Sequence, residues 1–298
     1  MQTPSSLLPG DTIAIVAPSR AINLEDLEYT INIIEQNGFV AKVGNSIGLQ
    51  NGQFAGSDRE RANDINSMFA DKSVKAIWCA RGGYGSVRTL QYVDFELVQK
   101  NPKWFIGYSD ITVFHSAFHN LGLETIHATM PVNINPNSDI ENVNTLVEIL
   151  MGKKLSYMIK SHGFNIKGSA VGQLVGGNLS VLYSLRNTPI DLDTSGKILF
   201  IEDLDEYLYH IDRMIMNLKY SGFLKNLKGL LIGGLSDMKD NAIPFGKKAE
   251  EIILEHVCDL GISVCFGFNA GHTIKNIALP MGRVVNLTVA ENECNLLF

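Results

Sequence analysis

The chain has 298 residues, 45% hydrophobic and 19% charged, which suits two domains with sizeable cores and excludes a disordered or fibrous protein. Its net charge of -6 includes no basic block, which argues against nucleic acid and anionic membranes as partners. The first 20 residues lack a basic lead, and their best apolar run, 13–17, is too short for a signal peptide or a membrane span.

Taken in order, residues 12–17 are a β-branched apolar run followed by Pro18-Ser19, and 24–37 read as a helix ended by Gly38. A strand is expected at 39–43, then a loop rich in Gly, Asn and Gln at 44–56. Ser57 with Glu60 three residues on forms a capping box for a helix to about residue 70. Residues 76–79 make a strand that runs directly into Arg81-Gly82-Gly83-Tyr84-Gly85-Ser86. The next strand, 104–106, is separated by only a few residues from a helical pattern carried by Ile111, Phe114, Phe118 and Leu121. This alternation predicts a parallel sheet covered on both faces, with ligands gathering beyond the carboxyl ends of its strands.

After residues 125–127 the pattern breaks. Residues 133–144 are dense in Asn, Pro, Ser and Asp, and a lysine-bearing stretch follows. We expect a first domain over 1–150, a linker over 151–167 and a second domain over 168–298. The second half restarts with a strand at 170–175, and Gly176-Gly177-Asn178-Leu179 opens a short helix. A strand at 197–201 ends at Glu202-Asp203, an amphipathic helix covers 208–220, and a strand follows at 229–232. A helix at 245–260 precedes a strand at 262–266, and 283–298 alternate as closing strands.

Ser109 sits where a strand turns into a helix, beside backbone N–H groups at the positive end of that helix. It is therefore a candidate nucleophile, although a serine or aspartate in that place also serves as an ordinary helix cap. The stretch is not the G-x-S-x-G elbow, because Ile111 stands where the second glycine belongs. The glycines after Arg81 fit neither phosphate-loop spacing. They allow either a close backbone approach to a substrate oxygen or a plain tight turn. His115 and His119 share a helix face, but position 116 is serine where a metalloprotease needs glutamate, and no third ligand suggests itself. Packing or surface roles are expected for both, with no metal. The four cysteines include no C-x-x-C; Cys79 and Cys265 lie in apolar runs and read as core residues of a reducing compartment.

Glu202 ends an apolar strand at the mouth of a sheet, although Asp203, Asp205 and Glu206 also allow a solvated acidic loop. His272 lies in a small-residue loop, Asn269-Ala270-Gly271-His272-Thr273, where a histidine is often mere polar surface. Together Ser109, Glu202 and His272 supply nucleophile, orienting carboxylate and base in the chain order of the α/β-hydrolases.

The set Ala80-Arg81-Gly82-Gly83-Tyr84-Gly85, Gly107-Tyr108-Ser109-Asp110-Ile111-Thr112, Gly176-Gly177-Asn178-Leu179, Ile201-Glu202-Asp203, Ile211-Asp212-Arg213-Met214 and Gly271-His272 resembles the LD-carboxypeptidase family, the S66-type serine peptidases that include muramoyl-tetrapeptide carboxypeptidases. The resemblance spans nearly the whole chain. It implies an α/β fold: a flavodoxin-like parallel-sheet N-terminal domain carrying Ser109 and a smaller β-rich C-terminal domain carrying Glu202 and His272, with the site in the cleft between. It also implies an oxyanion hole of backbone N–H groups at Gly83 and Asp110, no cofactor, and homodimers. Arg81 and Tyr84, in the glycine loop, are the expected substrate contacts; Arg81 either pairs with a substrate carboxylate or braces its loop. Many relatives carry Pro-Tyr-Arg where this chain has Leu208-Tyr209-His210. The expected activity is release of terminal D-alanine from murein tetrapeptide in the cytoplasm. Two alternatives share the sequence pattern: a microcin C7 immunity-type peptidase acting on peptidyl-nucleotides, and a two-lobed ligand-binding protein without chemistry.

Overall fold

The computed structural model describes residues 1–298, which form two compact units: 1–153 with 277–280, and 154–276 with 281–298. In the first unit, strands β1 (Thr12–Val16), β2 (Val40–Val43), β3 (Val74–Cys79), β4 (Trp104–Gly107) and β5 (Thr125–His127) pair in parallel in the order 5-4-3-1-2. That is the flavodoxin-like order. The short strand Leu279–Met281, from far along the chain, joins the β5 edge. Every residue of β1 and β4 is buried, which explains why they read as continuous apolar runs rather than alternating ones.

Helices α1 (Glu28–Gln36), α2 (Asp58–Ala70), α3 (Ser86–Leu90), α4 (Phe95–Lys100), α5 (Thr112–Asn120) and α6 (Glu141–Leu150) complete this unit. The capping box of α2 is present in full: Glu60 N–H donates to Ser57 Oγ and Ser57 N–H to Glu60 Oε2. The helical pattern carried by Ile111, Phe114 and Phe118 opens with one tight turn over Ser109–Ile111, whose first residue has φ +64°, and α5 follows from Thr112. Phe105 on β4 meets Phe114 at 4.9 Å and Phe118 at 5.1 Å, and Phe69 of α2 meets Phe118 at 5.8 Å. Each such pair adds roughly 0.5–1.5 kcal/mol beyond its buried area. The cluster clamps α5 against β4, so the connection between them stands on a rigid base.

The second unit holds one seven-stranded sheet. Its strands are β6 (Ser156–Lys160), β7 (Gly168–Asn178), β8 (Ile198–Leu204), β9 (Gly229–Ser236), β10 (Ser263–Cys265), β12 (Val284–Val289) and β13 (Glu293–Leu297), with Leu279–Met281 counted as β11. Strands β7, β8, β9 and β10 are parallel; β12, β13 and β6 extend the sheet antiparallel from the β7 edge. Helices α7 (Leu179–Ser184), α8 (Leu208–Tyr220) and α9 (Ala249–Val257) accompany the parallel half, where Leu199, Ile201, Met214, Ile232 and Ile253 share one core. The linker expected at 151–167 is not featureless, since β6 lies inside it. Tyr157 and Ile159 are buried and alternate with exposed Ser156, Met158 and Lys160. One of the lysines that made this stretch look like a connection, Lys160, lies on the solvent side of this edge strand, where charge discourages edge-to-edge pairing.

Candidate active site

In the first unit the chain leaves β4 at Gly107 and re-enters helix within a few residues. Ser109 carries this reversal at φ +64°, a left-handed conformation that costs a non-glycine residue on the order of 1–2 kcal/mol. A strained serine on a strand-to-helix turn is the geometry of a nucleophile elbow. It forms here without the second glycine, with Ile111 wholly buried in that place. No side-chain cap bond is made at the start of the turn or of α5, so helix capping does not account for Ser109. Gly82 lies so close that a methyl group on it would stand 3.3 Å from Ser109 Cβ and 3.4 Å from Asp110 N. The glycine loop thus brings bare backbone beside the elbow. Gly83, at φ +102°, packs under the Arg20 side chain, whose Cδ would lie 2.5 Å from an added Cβ.

Arg81 Nη1 donates to Ala21 O at 3.2 Å, so one edge of its guanidinium braces the neighbouring loop. Tyr84 is 46% exposed and stacks at an angle on Phe54, 6.0 Å between ring centres. His115 spends both ring nitrogens on structure: Nδ1 meets Thr125 Oγ1 at 2.8 Å and Nε2 meets Gly107 O at 2.9 Å. Burial pushes its pKa down to about 4, so it stays neutral. The neutral ring donates from Nε2 to the carbonyl and accepts at Nδ1 from the threonine.

In the second unit, Glu202 lies on β8 where the register with β9 shifts between Ile201 and Asp203. Such irregularities re-aim side chains beside functional sites. Glu202 is wholly buried, and its Oε2 accepts from both His272 Nδ1 at 2.6 Å and His272 N at 3.0 Å. The histidine loop is held from several sides. Gly234 N donates to Ala270 O, Gly271 N to Asn276 Oδ1, and the Ser236 hydroxyl to His272 O. Burial disfavours a charged His272, but the Glu202 and Asp203 carboxylates outweigh it, and the net shift is upward. With Nδ1–H committed to Glu202, Nε2 is the basic nitrogen.

Asp203 is also buried, at 1% exposure, which rules out a solvated acidic loop there. It accepts from Asn178 Nδ2, Ser180 N and Leu204 N, each at 2.9 Å. Burial and then the neighbouring Glu202 charge push its carboxyl up to about 7. His210 pairs through Nδ1 with Glu206 Oε2 at 2.5 Å and meets the Tyr183 ring edge-on.

Gly271, at φ +99°, would place a Cβ 2.6 Å from Glu202 Oε2. Gly271→Ala is therefore expected to displace the Glu202–His272 pair and lower kcat by about 10²-fold or more. A wild-type kcat in the folded variant would refute that dependence.

Beside these residues the structure places three buried polar side chains that sequence reading did not single out: Ser19, which donates to Asp110 Oδ2, Arg61, which donates to Pro18 O and Gly85 O, and Asp203. Asp203 adjoins Glu202 and Ser19 follows the first strand, so position alone offered a hint. Arg61 offered none, since a basic residue in the first turns of a helix normally faces water.

Residues 13–128 match the LD-carboxypeptidase N-terminal domain family and 171–287 the LD-carboxypeptidase C-terminal domain family. The chain is 36% identical to the probable murein peptide carboxypeptidase of Bacillus subtilis (strain 168), over 97% of this chain and 92% of the relative. It is 28% identical to the murein tetrapeptide carboxypeptidase of Pseudomonas aeruginosa, over 92% of each. The crystal structure of muramoyltetrapeptide carboxypeptidase from Oxalobacter formigenes superposes with a TM-score of 0.88 at 30% identity, covering 96% of this chain and 97% of that one. The microcin C7 self-immunity protein MccF superposes at 0.87 with 21% identity, over 99% and 98% of the two chains, a likeness of fold.

Proposed function

Because this chain belongs to the LD-carboxypeptidase family and is a serine-type carboxypeptidase, a hydrolase, we propose that it releases the terminal D-alanine of murein tetrapeptide. The bond cut joins that residue to an L-centre, such as the L-end of meso-diaminopimelate. Ser109, His272 and Glu202 act as one triad. The observation that carries this reading is Ser109 at φ +64° on the strand-to-helix connection, strain that packing alone gives no reason to keep. The names of the murein carboxypeptidase relatives support the substrate.

His272 Nε2 takes the proton of Ser109 as Oγ attacks the peptide carbonyl, and N–H groups at Gly83 and Asp110 receive the oxyanion. His272 then protonates the departing amine of D-alanine. Water, deprotonated by His272, attacks the acyl-enzyme and restores the serine. Glu202 holds the imidazole in the right tautomer and stabilises its charged form. The Arg81 fork pairs with the free carboxylate of the leaving residue, a two-pronged geometry that lysine does not reproduce; Tyr84 lies beside it in the same loop. A homodimer working in the cytoplasm is part of the same proposal.

Turnover of a tetrapeptide ending in D-alanine is expected to exceed that of its L-alanine counterpart and its C-terminal amide by about 10²-fold or more, since a misplaced carbonyl loses the near-attack geometry. Equal rates on all three would point to a general amidase. Faster cleavage of aspartyl sulfamoyl adenosine, a ligand of MccF, would favour the immunity-type reading.

A further inference from the structure

One carboxylate ties together three loops of the first unit. Asp110 is 5% exposed, and its Oδ2 accepts from Ser19 Oγ at 2.6 Å and from Ser86 N at 2.8 Å. Ser19 Oγ also stands 2.9 Å from Ser86 Oγ. An ionised carboxylate only accepts, so the Ser19 proton is committed to Asp110 and the Ser86 hydroxyl must donate to Ser19. Ser19 follows β1, Ser86 closes the glycine loop after β3, and Asp110 follows β4, all at the carboxyl ends of three adjacent strands. Arg61 closes the same ring from beneath. Its side chain is fully buried, pairs with Asp58, and donates to Pro18 O at 2.9 Å and Gly85 O at 3.2 Å.

Capping of its own helix does not explain this, because the Asp110 carboxylate bonds instead to the loop after β1 and to the first N–H of α3, where the glycine loop ends. The arrangement also coincides with the chemistry. Asp110 N is one expected oxyanion donor, and the loop held by the Asp110 side chain carries Gly83, the other. Oxyanion stabilisation depends on donors fixed in advance at hydrogen-bond distance from the developing charge. A loop with two glycines in left-handed conformations, Gly83 and Gly85, has no such rigidity of its own.

We propose that the Asp110 side chain is a positioning residue for the oxyanion hole, which grips Ser19 and Ser86 and so holds the glycine-loop N–H groups at a fixed distance from Ser109. The inference rests on Ser109 being the nucleophile. Charge-assisted bonds make the grip stiffer than a neutral acceptor would. One residue thereby sets both donors: one through its own backbone, the other through its carboxylate.

The test measures kcat and KM of Ser19→Ala, Asp110→Asn and Asp110→Ala on the D-alanine tetrapeptide. It also measures their affinity for a peptide boronic acid, which adds to the serine as a tetrahedral anion. Ser19→Ala is expected to lower kcat by about 10- to 100-fold with KM within about threefold, since the donors loosen while ground-state contacts persist. Asp110→Ala should lose more. Asp110→Asn should lose least, because its amide oxygen still accepts both bonds. Boronate affinity should fall in step with kcat/KM across the set, while affinity for the product peptide holds, a pattern that a general loss of stability does not produce. If Asp110→Ala fails to fold, Ser19→Ala alone decides. Wild-type kcat and boronate affinity in Ser19→Ala, or losses that track melting temperature instead, would overturn the inference. Fluorophosphonate labelling of Ser109 in the wild type separates the two levels. Labelling together with an indifferent Ser19→Ala overturns the positioning role alone; absence of labelling overturns the serine reading, and the inference with it.

Discussion

Ser109→Ala is expected to fold and to lose turnover by about 10⁴- to 10⁶-fold, the usual cost of deleting the nucleophile of a triad. The residual rate over water would come from the backbone donors and from binding, which the change leaves in place. A companion variant reads the strain directly. Ser109→Gly is expected to be equally inactive but more stable, because glycine occupies φ +64° without the penalty of about 1–2 kcal/mol that a Cβ incurs there. Glycine's greater freedom in the unfolded chain offsets part of this. Thermal unfolding of the two variants alongside steady-state assays checks both statements. Near-normal turnover by Ser109→Ala would remove the proposed mechanism. A Ser109→Gly less stable than Ser109→Ala would show that the turn is not strained.

His272→Ala is expected to approach the same loss, and Glu202→Gln to be milder, at about 10²- to 10⁴-fold. Removing the imidazole deletes the base, whereas the amide keeps the side chain's shape and loses the charge that stabilises the imidazolium. The pH profile gives a finer readout. In the proposed mechanism His272 must be neutral to accept the Ser109 proton, and the Glu202 and Asp203 charges raise its pKa in the folded protein. Activity is therefore lost as pH falls through that raised value, so the acid limb of kcat/KM should lie above the ordinary histidine value. For stability the sign is opposite. A raised pKa means the charged histidine favours the folded state, a contribution complete at low pH and lost as pH rises through the folded value. In Glu202→Gln both effects should shrink and the acid limb should move to lower pH. An unmoved limb would mean that Glu202 does not set the base. Loss of cooperative unfolding in Glu202→Gln would assign this wholly buried residue a structural role instead.

Much of this architecture is local and was legible in the chain. Buried parallel strands must be continuous apolar runs, so β1, β3, β4 and β8 announced themselves, and the Ser57–Glu60 box marked the start of α2 because its bonds span three residues. The tail alternated visibly because β12 and β13 bury only alternate residues. Ser109, Glu202 and His272 stood out because strand ends and glycine-flanked loops are where a parallel sheet presents side chains. What the sequence could not decide depends on partners far away along it. The helix expected over 245–260 spans only Ala249–Val257, and the lysine-rich 151–167 stretch contains β6, whose role is set by pairing with β13, more than 130 residues on. The left-handed turn at Ser109 has no glycine to signal it, so it shows only in the folded backbone. Ser19, Arg61 and Asp110 lie 42 and 49 residues apart in turn. Only the folding of three loops onto adjacent strand ends turns two serines, a buried arginine and an apparent cap residue into one network, because the desolvation that makes each bond matter arises only when the sheet closes over them.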